Sequence, residues 1–483
     1  MDVSRCCRSS RWLLLFLLSL SRSAGAEATS RAALTCLLGS GELLGGSEPA
    51  PVEEPPWQGL ASLRRGDESR AQLALATADV GTLPGLTTSA VLRLELDLSG
   101  RTTTEANGLR DASSSLGLTW QFGPAAALSL RAFPFDTNYL RVGYLHALDW
   151  GGTDAALGES TFLAQNGSVP GLQAGYQTPR TALFLALKWA ETDDALRGKR
   201  RLWGALSSGR LELLPTLRLE GGFGYFQRPA LTPIATPSSF VEGASLRVVW
   251  HHGASEPELS AEPFRPASFA EEPTRFDAEP RPGLAFALEG VTLVQRLRRF
   301  ENPDSSSLTS APALAVYGSA RGRSLAAHAA FSLRSLAFVL RNDARLAQGE
   351  TLPVGAIDRA ELSAWLGASA TLRPLSLIPS FELAVRVPAA VEAPSTLPGF
   401  SQTLVVGGPA GLQALPIGAG RLPVVSGRLG VRFQASASVA LALFGDYERN
   451  PNRVAFSASA LGVTRSFARP DSLAVFSAAQ ARF

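Results

Sequence analysis

From about residue 71 to the end of the chain, apolar and polar positions alternate with a period of two. In "SAVLRLELDLSG", Leu92, Leu94, Leu96 and Leu98 alternate with Arg93, Glu95 and Asp97. In "SSLGLTWQFG", Leu116, Leu118, Trp120 and Phe122 alternate with Ser115, Gly117, Thr119 and Gln121. "PTLRLEGGFGYF" sets Leu217 and Leu219 against Arg218 and Glu220, and "PSFELAVRVP" sets Phe381, Leu383, Val385 and Val387 against Glu382, Ala384 and Arg386. "SGRLGVRFQAS" sets Leu429, Val431 and Phe433 against Arg428, Arg432 and Gln434. The last segment, "DSLAVFSAAQARF", carries the same alternation to Phe483. Successive side chains on a strand face opposite sides, so this pattern predicts strands with one apolar and one polar face.

The connections are uneven. "FGPA" at Phe122–Ala125 and "RPL" near Pro374 are tight, whereas Asp149–Val169, His251–Pro282 and Pro388–Pro423 are long. The second of these holds six prolines and seven acidic residues. Tight turns mixed with long loops fit a meander whose two ends face different surroundings. No fixed-length repeat marks a propeller. We count sixteen strands as the central figure, within fourteen to twenty. If both termini lie on one side, parity puts Pro388–Pro423 on the tight-turn side unless "SQTLVVGG" is itself a strand, and we read it as one.

The N-terminus has another character. Arg5, Arg8 and Arg11 precede the apolar run "WLLLFLLSL", and Ala24 and Ala26 make a small-x-small cleavage site. This is the pattern of a secretory signal peptide over 1–26. The apolar run is too short for the roughly 20 residues of a spanning helix. Residues 27–70 read as a separate segment. Ser30 as N-cap with Ala33, Leu34, Leu37 and Leu38 on one face predicts a short helix, followed by a proline-rich linker. Cys6 and Cys7 leave with the signal peptide, so Cys36 alone remains and no intramolecular disulfide can form. Net charge of +3 gives no reason to expect a nucleic-acid partner. Mean hydropathy is +0.09 with no long apolar run in the mature chain, so apolar residues are abundant but finely interspersed.

Alternation alone does not say which face meets water. Charges at nearly every polar-face position sit more easily around a wet lumen than beside a dry core. Trp120, Phe122, Trp150, Trp189, Trp250 and Tyr447 fall near strand ends, where interfacial girdles lie. With the signal peptide, the alternating strands and the terminal Phe483, the chain resembles the Gram-negative outer-membrane β-barrel class, porin-like in character. The resemblance implies an all-β, transmembrane, antiparallel up-and-down barrel over 71–483. It also implies an outer-membrane location, contact with outer-membrane lipid, and homo-oligomers, since trimers are common in the class. Phe483 is then the signal read by the barrel-assembly machinery, with the last strand pairing with the first.

Candidate chemistry is sparse. His251 and His252 are adjacent, with Glu256 and Glu258 nearby, but neighbours on an extended chain point apart and no second spaced pair supports a metal. His146 and His328 are isolated. There is no GxSxG, P-loop or complete GxGxxG, so neither an enzyme nor a cofactor is expected. Asp446 and Glu448 share a strand face and read as lumenal charges balanced by Arg428 and Arg432. The inward positions Glu95, Asp97, Arg218, Glu220, Glu382, Arg386, Arg428, Arg432 and Asp446 carry both signs. Charged rings set ion preference in pores. The expectation is a passive channel for small hydrophilic solutes without strong charge selectivity. The alternatives are a non-conducting structural or adhesive surface barrel, then an outer-membrane enzyme or a soluble secreted β-protein.

Overall fold

The computed structural model describes residues 30–40, 68–77, 80–97, 109–111, 114–123, 125–135, 140, 142–143, 146, 169–194, 198–228, 239–253, 282–298, 306–339, 356–394, 401–406, 412–436, 439–459 and 462–482. The first strands are β1 (Ser30–Ser40), β2 (Glu68–Thr77), β3 (Val80–Leu83), β4 (Leu86–Asp97), β5 (Leu109–Asp111), β6 (Ser115–Phe122), β7 (Ala126–Phe133), β8 (Gly171–Gln177) and β9 (Thr181–Asp194). Then come β10 (Gly198–Leu214), β11 (Leu217–Arg228), β12 (Ser239–His252), β13 (Gly283–Arg298), β14 (Ser306–Arg321) and β15 (Leu325–Arg334). After a short helix α1 (Leu336–Val339) follow β16 (Ile357–Arg359), β17 (Glu361–Ala370), β18 (Leu377–Val387), β19 (Ala390–Pro394), β20 (Ser401–Val406) and β21 (Leu412–Ala414). The chain ends with β22 (Val424–Gln434), β23 (Val439–Arg449), β24 (Val454–Ser459), β25 (Gly462–Phe467) and β26 (Asp471–Arg482).

Twenty of these segments form one antiparallel sheet that returns on itself. β1 pairs with β2 from Ser30↔Thr77 to Gly39↔Glu68, and with β26 from Ala33↔Arg482 to Ser40↔Val475. β2 and β3 both pair with one edge of β4, and β5 and β6 both pair with its other edge. Each of these two pairs of segments is one interrupted stave, so the twenty segments make eighteen staves. The number is even, as antiparallel closure requires, and lies inside the expected range. About sixteen to eighteen strands enclose an aqueous lumen rather than a side-chain core.

One expectation is corrected here. Ser30–Leu38 is not a helix but β1, so the barrel begins at Ser30 rather than at residue 71. The periodicity of Ala33, Leu34, Leu37 and Leu38 suits a helix face, but backbone ladders on both edges of the segment override it. Ala24, Ala26, Trp150 and Phe483 lie outside the described residues.

At one end the hairpins close in a few residues: Pro84–Gly85, Gly123–Ala125, Thr178–Arg180, Pro215–Thr216 and Gly322–Ser324. Gly85 at φ 77° supplies the left-handed position of the first of these turns. Thr371–Ser376 holds a single 3-10 turn around Pro374, ending in Ser376 at φ 52°. We call this the turn end; the start of β1 and the end of β26 lie there too. Parity is resolved differently from expectation. Pro388–Pro423 lies at the opposite, loop end, and the long connection at the turn end is the one between β12 and β13. "SQTLVVGG" does contain a strand, β20, but it belongs to a separate four-stranded sheet of β16, β19, β20 and β21.

That small sheet packs at the loop end between two apolar clusters. One joins Leu336 and Val339 of α1 to Ala389, Val391 and Val406. The other joins Ala390, Val405 and Leu415 to Val454. Asn452 ties it to the barrel as a backbone mimic: its Oδ1 accepts from Leu422 N and its Nδ2 donates to Leu422 O, each at 2.7 Å. Arg421 Nη1 donates to both Ala360 O and Pro388 O at 2.7 Å. On the outer edge Arg359 hydrogen-bonds Glu392, which holds that carboxyl below its ordinary pKa, and burial pushes Asp358 up.

The outer wall is apolar. Leu183, Leu185 and Leu187 of β9 are exposed, with Ala182, Phe184 and Ala186 buried between them. Leu429, Val431 and Phe433 of β22 repeat the pattern, Leu429 being 71% exposed. Trp120, Phe122, Tyr176 and Trp250 stand on the outer face near the turn end, and Trp203 and Tyr447 near the loop end, where Trp203 tilts against Trp189 at 5.6 Å. Two aromatic levels bounding an apolar band are the outer surface of a membrane barrel. On the last strand Val475 and Ser477 face out and Phe476 faces in, fully buried against Phe444, Ala474 and Ala478.

Phe476→Ala removes the largest inner side chain at the closure and is expected to lower unfolding stability by about 3–5 kcal/mol. Denaturant unfolding in detergent reads this, and an unchanged midpoint contradicts the packing described.

Candidate functional site: a segment latched inside the barrel

The inner wall is asymmetric. From β9 to β15 most of its side chains are buried, as are Glu361 and Ser363 of β17 and the inner faces of β23 and β26; on β18 and through the middle of β22 they are half-buried. Along β9 to β15 part of the cover comes from the connection between β7 and β8, of which Leu140, Val142, Gly143 and His146 lie inside the barrel. Lys188 of β9 donates its Nζ to Leu140 O at 3.0 Å. Val142 fits a recess at Gly222 of β11, where a Cβ would come within 2.5 Å of Val142 Cγ1. Gly143 takes φ 90°, and a Cβ there would meet His146 O at 2.5 Å. His146 N donates to Glu289 Oε1 of β13 at 3.4 Å, and its Nε2 stands 3.3 Å from Ser332 Oγ of β15. Phe338 of α1 meets the imidazole edge-on at 5.6 Å. Around these contacts Phe133, Phe184, Leu202, Leu206, Phe226 and Val291 form an apolar cluster with Leu140 and Val142.

Strand register explains how charged groups reach this wall. Across neighbouring strands Arg210 faces Glu220, Glu220 faces Arg247, and Arg247 faces Glu289. One row of paired residues thus alternates sign over β10 to β13. Arg247 Nη1 donates to Glu220 Oε2 at 2.9 Å, and Arg218 Nε to Glu212 Oε1 at 2.5 Å. A buried charge is tolerated when a partner offsets its lost hydration, and alternation supplies a partner on each side. The last charge of the row, Glu289, is where the latched segment docks.

Ser332, His146 and Glu289 bring a hydroxyl, an imidazole and a carboxylate together, the composition of a hydrolytic triad. They are 2%, 4% and 0% exposed, and Glu289 accepts from the main-chain N of His146. The trio works as a fastening.

Of the inward charges expected from sequence, Arg218 and Glu220 belong to the buried arc. Glu382, Arg386, Arg428, Arg432 and Asp446 lie on the opposite arc, on the face away from the exposed Phe381, Leu383, Leu429 and Leu443. Glu382, Arg428 and Asp446 are direct cross-strand neighbours in one row, which continues through Gly367 to His328. Arg428 binds Asp446 with both ends of its fork, at 2.7 and 2.8 Å. Glu448 pairs with Arg453 at 3.1 Å. Arg334 and Glu361 are ion-paired above Arg386. The side chains of Glu95 and Asp97 lie outside the described residues. His251 faces in and His252 out, as adjacent strand residues must. Sequence reading named His146 without giving it a role and missed Lys188, Glu289 and Ser332. Lys188 carried a signal: it is one of two lysines and stands on the inward parity of the otherwise apolar run Ala182–Ala190.

Lys188→Met leaves Leu140 O unpaired and is expected to cost about 1–3 kcal/mol. Gly222→Leu forces Val142 from its recess and is expected to cost about 1–3 kcal/mol by overpacking. Both are read by unfolding in detergent against an outer-face control, Leu429→Ala.

No protein-family model matches the chain, and no curated protein matches it. Among solved structures it is similar to OccK3 (OpdO) of Pseudomonas aeruginosa, at 11% identity over 97% of this chain and 99% of that one, with a TM-score of 0.48. It is also similar to OpdK of the same organism, solved with vanillate, at 9% identity over 95% and 98%, with a TM-score of 0.43. OccAB1 of Acinetobacter baumannii is similar at 8% identity over 95% and 99%, with a TM-score of 0.45.

Proposed function

We propose that the protein is an outer-membrane channel through which small hydrophilic solutes pass passively. The observation that carries this reading is the asymmetry of the inner wall. A closed sheet with an apolar outer band suits hydrocarbon, where only closed backbone ladders survive. Inside, described residues of the latched segment lie against β9, β11, β13 and β15, and half-buried polar positions remain on β18 and β22. There Ser380, Glu382, Arg386, Ser426, Arg428 and Arg432 present hydroxyls and charges of both signs. With Asp446 bound to Arg428, this arc carries both signs with arginine in slight excess, which fits weak charge selectivity. Transport of this kind needs no catalytic group and no cofactor. On this reading the turn end faces the periplasm, outer-membrane lipid covers the belt, and Phe483 and β26 serve the barrel-assembly machinery. Homo-oligomers remain part of the proposal.

Two measurements test it. In planar bilayers the purified protein is expected to give stable ohmic conductance, and Gly222→Leu, which pushes Val142 toward the passage, to lower it. Folded protein that adds no conductance to the bare bilayer would overturn the channel and favour a non-conducting surface barrel. Leu185→Arg places a charge on the outer face, where it is expected to cost about 2–4 kcal/mol near the bilayer midplane. The same change on a water-exposed face would cost almost nothing, so equal stability in lipid would reject the membrane assignment.

A further inference from the structure

Gly367 of β17 opens a gap in the inner wall that two titratable side chains share. Register sets His328 of β15, Gly367 and Glu382 of β18 side by side in one row. Neighbouring strands lie about 4.8 Å apart, so the roots of His328 and Glu382 stand roughly two such spacings from each other, and an ordinary residue between them would keep them separate. Glycine does not. A Cβ at Gly367 would lie 2.6 Å from both Cε1 and Nε2 of His328 and 3.1 Å from Cγ of Glu382. The imidazole edge and the Glu382 side chain therefore share the space above Gly367. Both residues are half-buried on the inner face, on the parity opposite the exposed Ala327, Ala329, Phe381 and Leu383.

The groups around the gap come from each element packed there. On β14, Ser319 faces His328, with Tyr317 and Arg321 on its two diagonals. On β17, Trp365 and Ser369 flank Gly367. Beyond Glu382 stands Arg428, whose fork is closed on Asp446 at 2.7 and 2.8 Å. Of these described side chains, the histidine is the one whose ordinary charge change falls between about pH 5 and 8. We propose that His328 and Glu382 set the charge preference of the passage and make it depend on pH. With the imidazole neutral, the pair carries one negative charge. With the imidazole protonated, its charge offsets the carboxylate that shares its space, and the pair is neutral. Acid thus moves the arc one unit toward arginine excess, and anions gain over cations. This inference rests on the channel reading above and adds to it the residues that tune selectivity.

Reversal potentials of the full chain in planar bilayers, under a gradient of dilute potassium chloride, test the pair. Between about pH 8 and about pH 5 the wild type is expected to lower its potassium-to-chloride permeability ratio about fivefold, since a unit charge roughly 8 Å from the ion path through water changes each permeability by about twofold, in opposite directions. His328→Gln is expected to flatten that response, with His328→Asn as a second variant should the first fail to fold. Glu382→Gln keeps the histidine and is expected to lower the ratio at the alkaline end while leaving the step. His251→Gln, at the far end of the same row through Ala285 and Ser319, is expected to respond as the wild type does. A step retained in full by the folded His328 variants, or a wild-type ratio that does not move with pH, overturns the inference. Conductance with an unmoved ratio overturns the pair alone, whereas folded protein that adds no conductance overturns the channel and the pair with it.

Discussion

The backbone ladder between β1 and β26 is the constraint on which the rest of the structure depends. In hydrocarbon each unpaired N–H or C=O costs several kcal/mol, so an open edge is not an option. β1 is paired along both of its edges, to β2 and to β26, and with it the sheet has no edge left. Closure also explains the end of the chain. Phe476 is buried inside the final strand while Val475 and Ser477 face outward, so the last stave is held by packing on one side and pairing on both edges. A strand so placed does not fray as free termini do.

Closure fixes the register, and the register decides what the lumen contains. Because paired residues share a height along the wall, single substitutions on neighbouring strands add up to rows. Arg210, Glu220, Arg247 and Glu289 form one such row, and Glu382, Arg428 and Asp446 form another. The two rows have different fates. The first is buried because a segment of the chain lies over it, and its alternating signs make that burial tolerable. In the second, Glu382 and Arg428 stay half-buried with Asp446 buried beside them. The same chemistry is thus covered on one arc and partly open on the other.

Periodicity made the barrel legible. Strands such as β9, β18 and β22 alternate strictly enough to assign inner and outer faces residue by residue, and the aromatics near their ends mark the interfaces. β1 was not legible, because Ala33, Leu34, Leu37 and Leu38 satisfy a helical period as well as a strand, and the decision is made by partners far along the chain. The latch was not legible for a related reason. His146 meets Ser332 across 186 positions and Lys188 meets Leu140 across 48, and no local spacing encodes either contact. Parity failed at "SQTLVVGG" because a strand in a loop-end sheet has the same alternation as a stave. Only its partners, β19 and β21, distinguish it.

The loop-end sheet and the latch are mechanically one unit, joined by the four residues of α1. Phe338 belongs to the inner cluster and touches His146, while Leu336 and Val339 belong to the cluster beneath β19 and β20. One turn of helix thus carries packing contacts to both, Phe338 to the imidazole and Leu336 and Val339 to the small sheet. Asn452 and Arg421 clamp that sheet to the barrel through main-chain partners at 2.7 Å. The position of the latched segment, and with it the width left for solute, is therefore fixed from both ends: by Lys188 and Glu289 on the wall, and by the loop-end sheet through α1.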